Sequence, residues 1–155
     1  MSQALAIEIW IHGACAAGGY GGWSYVIRAD NQWRGVAGGA TRTDAETMAL
    51  TGLAAALDAV KGEPRGAALR LHLSDPSLLE PADTNAALRA GVTKALAGWA
   101  APPAILDSRR AANARAWSDF LSSWADFARD KAKARGAFSA PIPKLNIAKF
   151  AHDAI

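Results

Sequence analysis

The chain has 155 residues, 51% of them hydrophobic and 20% charged, which is enough length and apolar content for a single folded domain over residues 1–155. That composition is too apolar for a disordered segment, no apolar run reaches the roughly 18 residues of a membrane span, and the lone Cys15 excludes an internal disulfide and a cysteine-based zinc site. The net charge of +3 is uneven: residues 1–100 hold eight Lys/Arg and nine Asp/Glu, whereas residues 101–155 hold nine and five, so the basic C-terminal third is the part suited to phosphates.

Ala4 to Ile11 is an apolar run broken by Glu8, and its Ile and Trp residues suit a buried strand. Met1 to Ala6 carry no basic residue, so no export signal is expected, and with one cysteine the chain reads as cytoplasmic, with no membrane partner. Gly13 to Gly22 is a glycine-rich turn, Trp23 to Arg28 a second strand, and Asp30-Asn31 a turn into a third strand over Gln32 to Ala37. Asp44 to Val60 reads as a helix capped by Thr43 or Asp44, with Met48, Leu53, Leu57 and Val60 along one face. Gly62, Pro64 and Gly66 end it, and Ala67 to Leu73 is a fourth strand, which a right-handed crossover lays parallel to the first.

Ser74-Asp75-Pro76 closes that strand and opens a short helix. Asn85 to Trp99 is a helix, Ala100 to Pro103 a loop, and Asn113 to Arg135 a long helix with Trp117, Leu121, Trp124 and Ala128 at core spacing. Phe138 to Pro143 is extended, and its prolines confine it to a sheet edge or a loop. Leu145 to Ile155 is a terminal helix. The order specifies an α/β fold with a mixed five-stranded sheet, an antiparallel three-stranded meander plus parallel strands, flanked by helices.

These residues resemble the bacterial type 1 ribonuclease H family. Its Asp-Gly-Ser turn and following Gly-Gly-Tyr-Gly segment are matched by His12-Gly13-Ala14 and by Gly18-Gly19-Tyr20-Gly21. Its first helix opens on a Thr-Arg-Thr run ending in Met-Glu-Leu, here Thr41-Arg42-Thr43 and Met48-Ala49-Leu50. Its Ser-Thr-Asp-Ser turn is similar to Leu73-Ser74-Asp75-Pro76, and Gly98-Trp99 and Asn113-Ala114-Arg115-Ala116-Trp117 resemble its helical region. Asn146 to Ala151 is loosely similar to its closing helix. The likeness is strongest over residues 5–76.

The resemblance implies a ribonuclease H-like fold and hydrolysis of RNA in RNA–DNA hybrids by paired Mg²⁺ ions, which need convergent carboxylates. Aligned this way, the first family aspartate falls on His12, the helix glutamate on Ala49 and the closing-helix carboxylate near Phe150, leaving Asp75 as the retained acid. The site is thus read as degenerate, with no cofactor expected; if activity persists, Mg²⁺ or Mn²⁺ is the ion. Glu46 lies one turn before Ala49, so His12, Glu46 and Asp75 form a candidate rearranged catalytic and metal set for Mn²⁺ or Zn²⁺, with Asp126 or Asp153 as further donors. The simpler arrangement is a hydrogen bond from His12 to Asp75 across adjacent strands.

Cys15 near His12 has the look of a nucleophile and base but lacks an orienting third group, and it reads as an incidental thiol. The segment Gly18 to Gly22 leads into a strand and is not a phosphate loop; His72 is a strand residue and His152 is uninformative. Three functions fit. The first is a nucleic-acid-binding protein with weak or absent cleavage, which contacts hybrid or other phosphates through Arg109, Arg110, Arg115, Lys131, Lys133 and Arg135. The second is an active metal-dependent endoribonuclease with a rearranged site, and the third a module for a protein partner.

Overall fold

A computed structural model of the chain describes residues 6–154, with side chains through residue 151. Ala4 and Leu5 of the expected first strand, Ile155 of the last helix, and the side chains of His152 and Asp153 lie outside the described residues.

The first strands form the expected meander: β1 (Ala6–Cys15), β2 (Gly21–Ala29) and β3 (Gln32–Ala40). Asp30 and Asn31 both take positive φ, 52° and 60°, as a two-residue hairpin turn between right-twisted strands requires. Helix α1 (Ala45–Ala59) starts at Asp44, whose carboxylate accepts the Thr47 amide at 2.7 Å. It leads to β4 (Ala68–Leu73), which lies parallel to β1 with Ile9 opposite Leu71 and Trp10 opposite His72. A short 3-10 turn (Pro76–Leu79) and α2 (Ala86–Ala97) follow.

The sheet has six strands rather than five, in the order β5-β4-β1-β2-β3-β6. The extra one is β5 (Ala104–Asp107), parallel to β4, which the sequence conceals because it is four residues long and follows Pro102-Pro103. The long helix is α3 (Ala114–Arg135). The extended piece is β6 (Phe138–Pro141), antiparallel to β3 at the sheet edge, where its proline is tolerated. The chain then enters α4 (Lys144–Ala154).

Strand alternation divides the core in two. Ile7, Ile9 and Ile11 of β1 pack with Leu50, Leu53 and Leu57 of α1 on one face of the sheet. Trp10 of the same strand packs with Trp117, Leu121 and Ala128 of α3 on the other. Two glycines let the helices come close. A Cβ on Gly13 would stand 2.2 Å from the Ala49 amide nitrogen, and one on Gly22 would stand 1.9 Å from the Ala125 carbonyl oxygen. Both helices therefore rest backbone-to-backbone on the C-terminal end of β1 and the start of β2 that pairs with it, which is where His12 lies.

Candidate functional site

Beyond the last β1–β4 pair, Trp10 with His72, the next same-facing residues are His12 and Ser74. Both line a small cleft of about 50 Å³, together with Ile11, Ser108, Arg109, Ala114, Trp117, Ser118 and Leu121. Three strand ends and the first turns of α3 thus meet at one point. Ser108 is held there by its amide, which donates to the Leu73 carbonyl at 2.9 Å. Burial pushes the His12 pKa below its ordinary value, and the charge of Asp126 offsets part of that fall. At neutral pH the imidazole is accordingly uncharged, with one N–H donor and one acceptor nitrogen.

The expected set of His12, Glu46 and Asp75 is not assembled. Glu46 is ion-paired with Arg89 and accepts from Thr84 Oγ1 at 3.1 Å. Arg89 in turn donates to the carbonyls of Leu78 and Glu80 at 2.8 Å each and of Thr84 at 2.9 Å, so Glu46 anchors the segment between the 3-10 turn and α2. Asp75 does not hydrogen-bond His12. Its Oδ1 caps the 3-10 turn, accepting from the Ser77 amide at 3.1 Å and from its hydroxyl at 2.6 Å. Asp126 is the acid whose charge reaches His12, and it pairs with Arg129 at 3.2 Å.

Phe150 does not occupy the helix position beside His12. Its ring stacks on Phe120 at 4.3 Å and meets Trp117 edge-on at 4.7 Å, inside the second core. The helix that reaches the strand ends is α3, and its residues there are Ala114, Trp117, Ser118 and Leu121. The Asn113-to-Trp117 segment was the signal for this placement. Cys15 is half-buried on β1, its thiol directed at the carbonyls of Ala16 and Thr43, and it does not line the cleft.

The six expected phosphate contacts fall into two groups at opposite ends of α3, whose 22 residues span about 33 Å. Arg109 forks onto Asp107 with two 3.0 Å bonds, which raise the arginine pKa and hold the Asp107 carboxyl below the usual range. Arg110 lies 3.8 Å from the same carboxylate and Arg115 4.0 Å from Asp119, both with nearly all of the side chain in solvent. At the far end Lys131 covers Phe127, Lys133 covers Tyr20, and Arg135 is exposed.

The sequence left a second polar feature unassigned. Glu8 and His72 face each other on β1 and β4 at 2.8 Å, beneath the Trp10 ring that stacks on His72 at 4.5 Å. His72 Nδ1 is buried with no partner, and its Nε2–H donates to the Glu8 carboxylate. Burial lowers its pKa, against the opposing pull of Glu8.

No protein-family model matches the chain. A solved RNase H1 from the halophilic archaeon Halobacterium salinarum NRC-1 superposes with a TM-score of 0.57 at 18% identity, covering 81% of this chain and 98% of that one. The structure of LC9-RNase H1, described as a type 1 RNase H with the type 2 active-site motif, superposes with a TM-score of 0.66 at 13% identity, covering 90% and 80%. The fold is the ribonuclease H fold.

In sequence, the chain is 34% identical over 94 residues to a ribonuclease H from Acidiphilium cryptum (strain JF-5). That stretch is 60% of this chain and 51% of the relative, so the ribonuclease H-like chain matches about half the length of the curated protein. Mg²⁺ takes oxygen ligands, usually one or two carboxylates together with waters and substrate phosphates. The cleft offers an imidazole, three serine hydroxyls, a guanidinium and an indole, and this set does not fit a pair of Mg²⁺ ions. Among the described residues no three His, Cys, Asp or Glu side chains are grouped so as to hold a metal ion. Nor is any described helix long and apolar enough to cross a membrane.

Proposed function

We propose that this ribonuclease H-like chain binds nucleic acid through its phosphates and does not carry out Mg²⁺-dependent cleavage of RNA–DNA hybrids, its carboxylate site being degenerate. One observation carries the reading. The point where β1, β4 and β5 meet α3 is lined by His12, Ser74, Ser108, Ser118 and Arg109, a set that can donate hydrogen bonds to an anion and includes no carboxylate.

Arg110 and Arg115 stand beside that point in solvent, and Lys133 and Arg135 lie at the other end of α3, so a bound duplex or hybrid would meet cations at both ends of one helix. Such contacts position a backbone and carry no base code. The test is fluorescence anisotropy of a labelled RNA–DNA hybrid, titrated with the full chain at low salt in EDTA and again in Mg²⁺. Saturable binding of equal strength in both, weakening steeply with salt, is expected. Binding that requires Mg²⁺, or none to hybrid, duplex or single strand at low salt, overturns the reading.

A further inference from the structure

We propose that the cleft between the ends of β1, β4 and β5 and the start of α3 seats a single phosphate group directly on protein donors, without a metal ion. The proposal rests on the nucleic-acid reading only for the source of that phosphate.

The donors are specific. The hydroxyls of Ser74, Ser108 and Ser118 and the imidazole of His12 line the cleft, and none of the four makes a side-chain hydrogen bond to another described residue. These groups, gathered from three strand ends and a helix, with Ser74 and Ser118 exposed, are open to hydrogen-bond a ligand or water. A tetrahedral oxyanion presents many lone pairs in a small volume and takes several such donors at once. The cleft is small, about 50 Å³, and open to solvent on one side.

Two further features favour an anion. Arg109 lines the same cleft while Asp107 holds it in a fixed fork, so its position is set before any ligand arrives. Ala114, the first residue of α3, also lines it; its own amide donates to the Ala111 carbonyl at 3.2 Å, and the next first-turn amides, of Arg115 and Ala116, have no intrahelical acceptor. The nearby acids are engaged elsewhere: Asp75 with Ser77, Asp107 with Arg109, and Asp126 with Arg129. Trp117 and Leu121, both buried, close the floor beneath the donors.

The experiment follows the His12 ring proton signals by NMR in the full chain with EDTA present. Inorganic phosphate, a 5′-phosphorylated oligonucleotide and its 5′-hydroxyl twin are titrated in turn. A saturable shift at His12, with His72 unmoved, is expected. Ser118 sits on the exposed side of the first turns of α3, so its variants keep the fold. Ser118→Ala is expected to weaken phosphate binding about tenfold, as loss of one hydrogen bond to a charged group does, and Ser118→Glu to abolish it.

Competition by the 5′-phosphorylated strand alone assigns the seat to a terminal phosphate, and equal competition by both strands assigns it to a backbone phosphate. No saturable His12 response to any of the three, with hybrid binding intact, overturns the seat and leaves the proposed function standing. A His12 response to inorganic phosphate without hybrid binding keeps the seat and overturns the nucleic-acid reading. A response that appears only on adding Mg²⁺ overturns recognition without metal.

Discussion

Trp117 joins the second core to the cleft, and removing its ring tests both at once. The side chain is 5% exposed; it stacks on Trp10 at 4.2 Å with the planes 5° apart and takes the edge of Phe150 at 4.7 Å. Truncating a buried tryptophan to alanine costs about 3–5 kcal/mol. The upper half of that range applies, because two aromatic contacts, each adding roughly 0.5–1.5 kcal/mol beyond area, are lost together. For a chain of this length each kcal/mol moves Tm by roughly 2–4 °C, so Trp117→Ala should lower Tm by about 8–20 °C. Urea and thermal unfolding followed by far-ultraviolet circular dichroism measure this without relying on tryptophan emission. The same substitution opens the cleft and hydrates His12, so the His12 pKa should rise toward its ordinary value, because burial is the main cause of its depression. A loss below about 1 kcal/mol, or an unmoved His12, refutes the role given to Trp117.

Three other outcomes follow from the same geometry. Arg110→Ala with Arg115→Ala should flatten the log–log salt dependence of duplex binding by up to about 1.8 units, at about 0.9 per phosphate contact; an unchanged slope means these arginines only pair with Asp107 and Asp119. His72 has a folded pKa below its unfolded value, so the unfolded state takes up the proton first. Its contribution is therefore complete above about pH 6.5 and is lost as pH falls from there through the folded pKa. His72→Gln, keeping a donor to Glu8 and facing Arg70, Arg28 and Trp10 as before, should shallow the decline in urea stability between pH 7 and pH 5, and an unaltered decline rules His72 out. Finally, His12→Asp with Ala49→Glu should bind Mn²⁺ by calorimetry where neither single change does, since two carboxylates join Asp75; no gain over the parent shows that residues 12 and 49 do not converge.

The meander and α1 were legible because their signals are local. Asp30-Asn31 has the chemistry of its turn, Asp44 the chemistry of its cap, and the β1 run alternates between two cores. β5 was not legible, because four residues after two prolines are too few to show a period. The family resemblance brought His12 and Asp75 together, and helical spacing added Glu46. What separates them is partners far away in sequence or hidden in a turn: Arg89 for Glu46 and Ser77 for Asp75. The serines of the cleft left no sequence trace, since isolated serines form no pattern until the strands place them side by side. Trp117 was legible in the Asn113-to-Trp117 segment, but the family resemblance points to the last helix, at Phe150, whereas α3 forms the cleft's helical wall.

Cleavage of a labelled RNA–DNA hybrid by the purified chain in Mg²⁺ tests the central claim most directly. The account predicts no Mg²⁺-dependent product at protein concentrations that saturate hybrid binding, because the cleft at the strand ends is lined by His12, Trp117 and serines where a two-ion site needs carboxylates. Efficient turnover in Mg²⁺ that Asp75→Asn abolishes would contradict it.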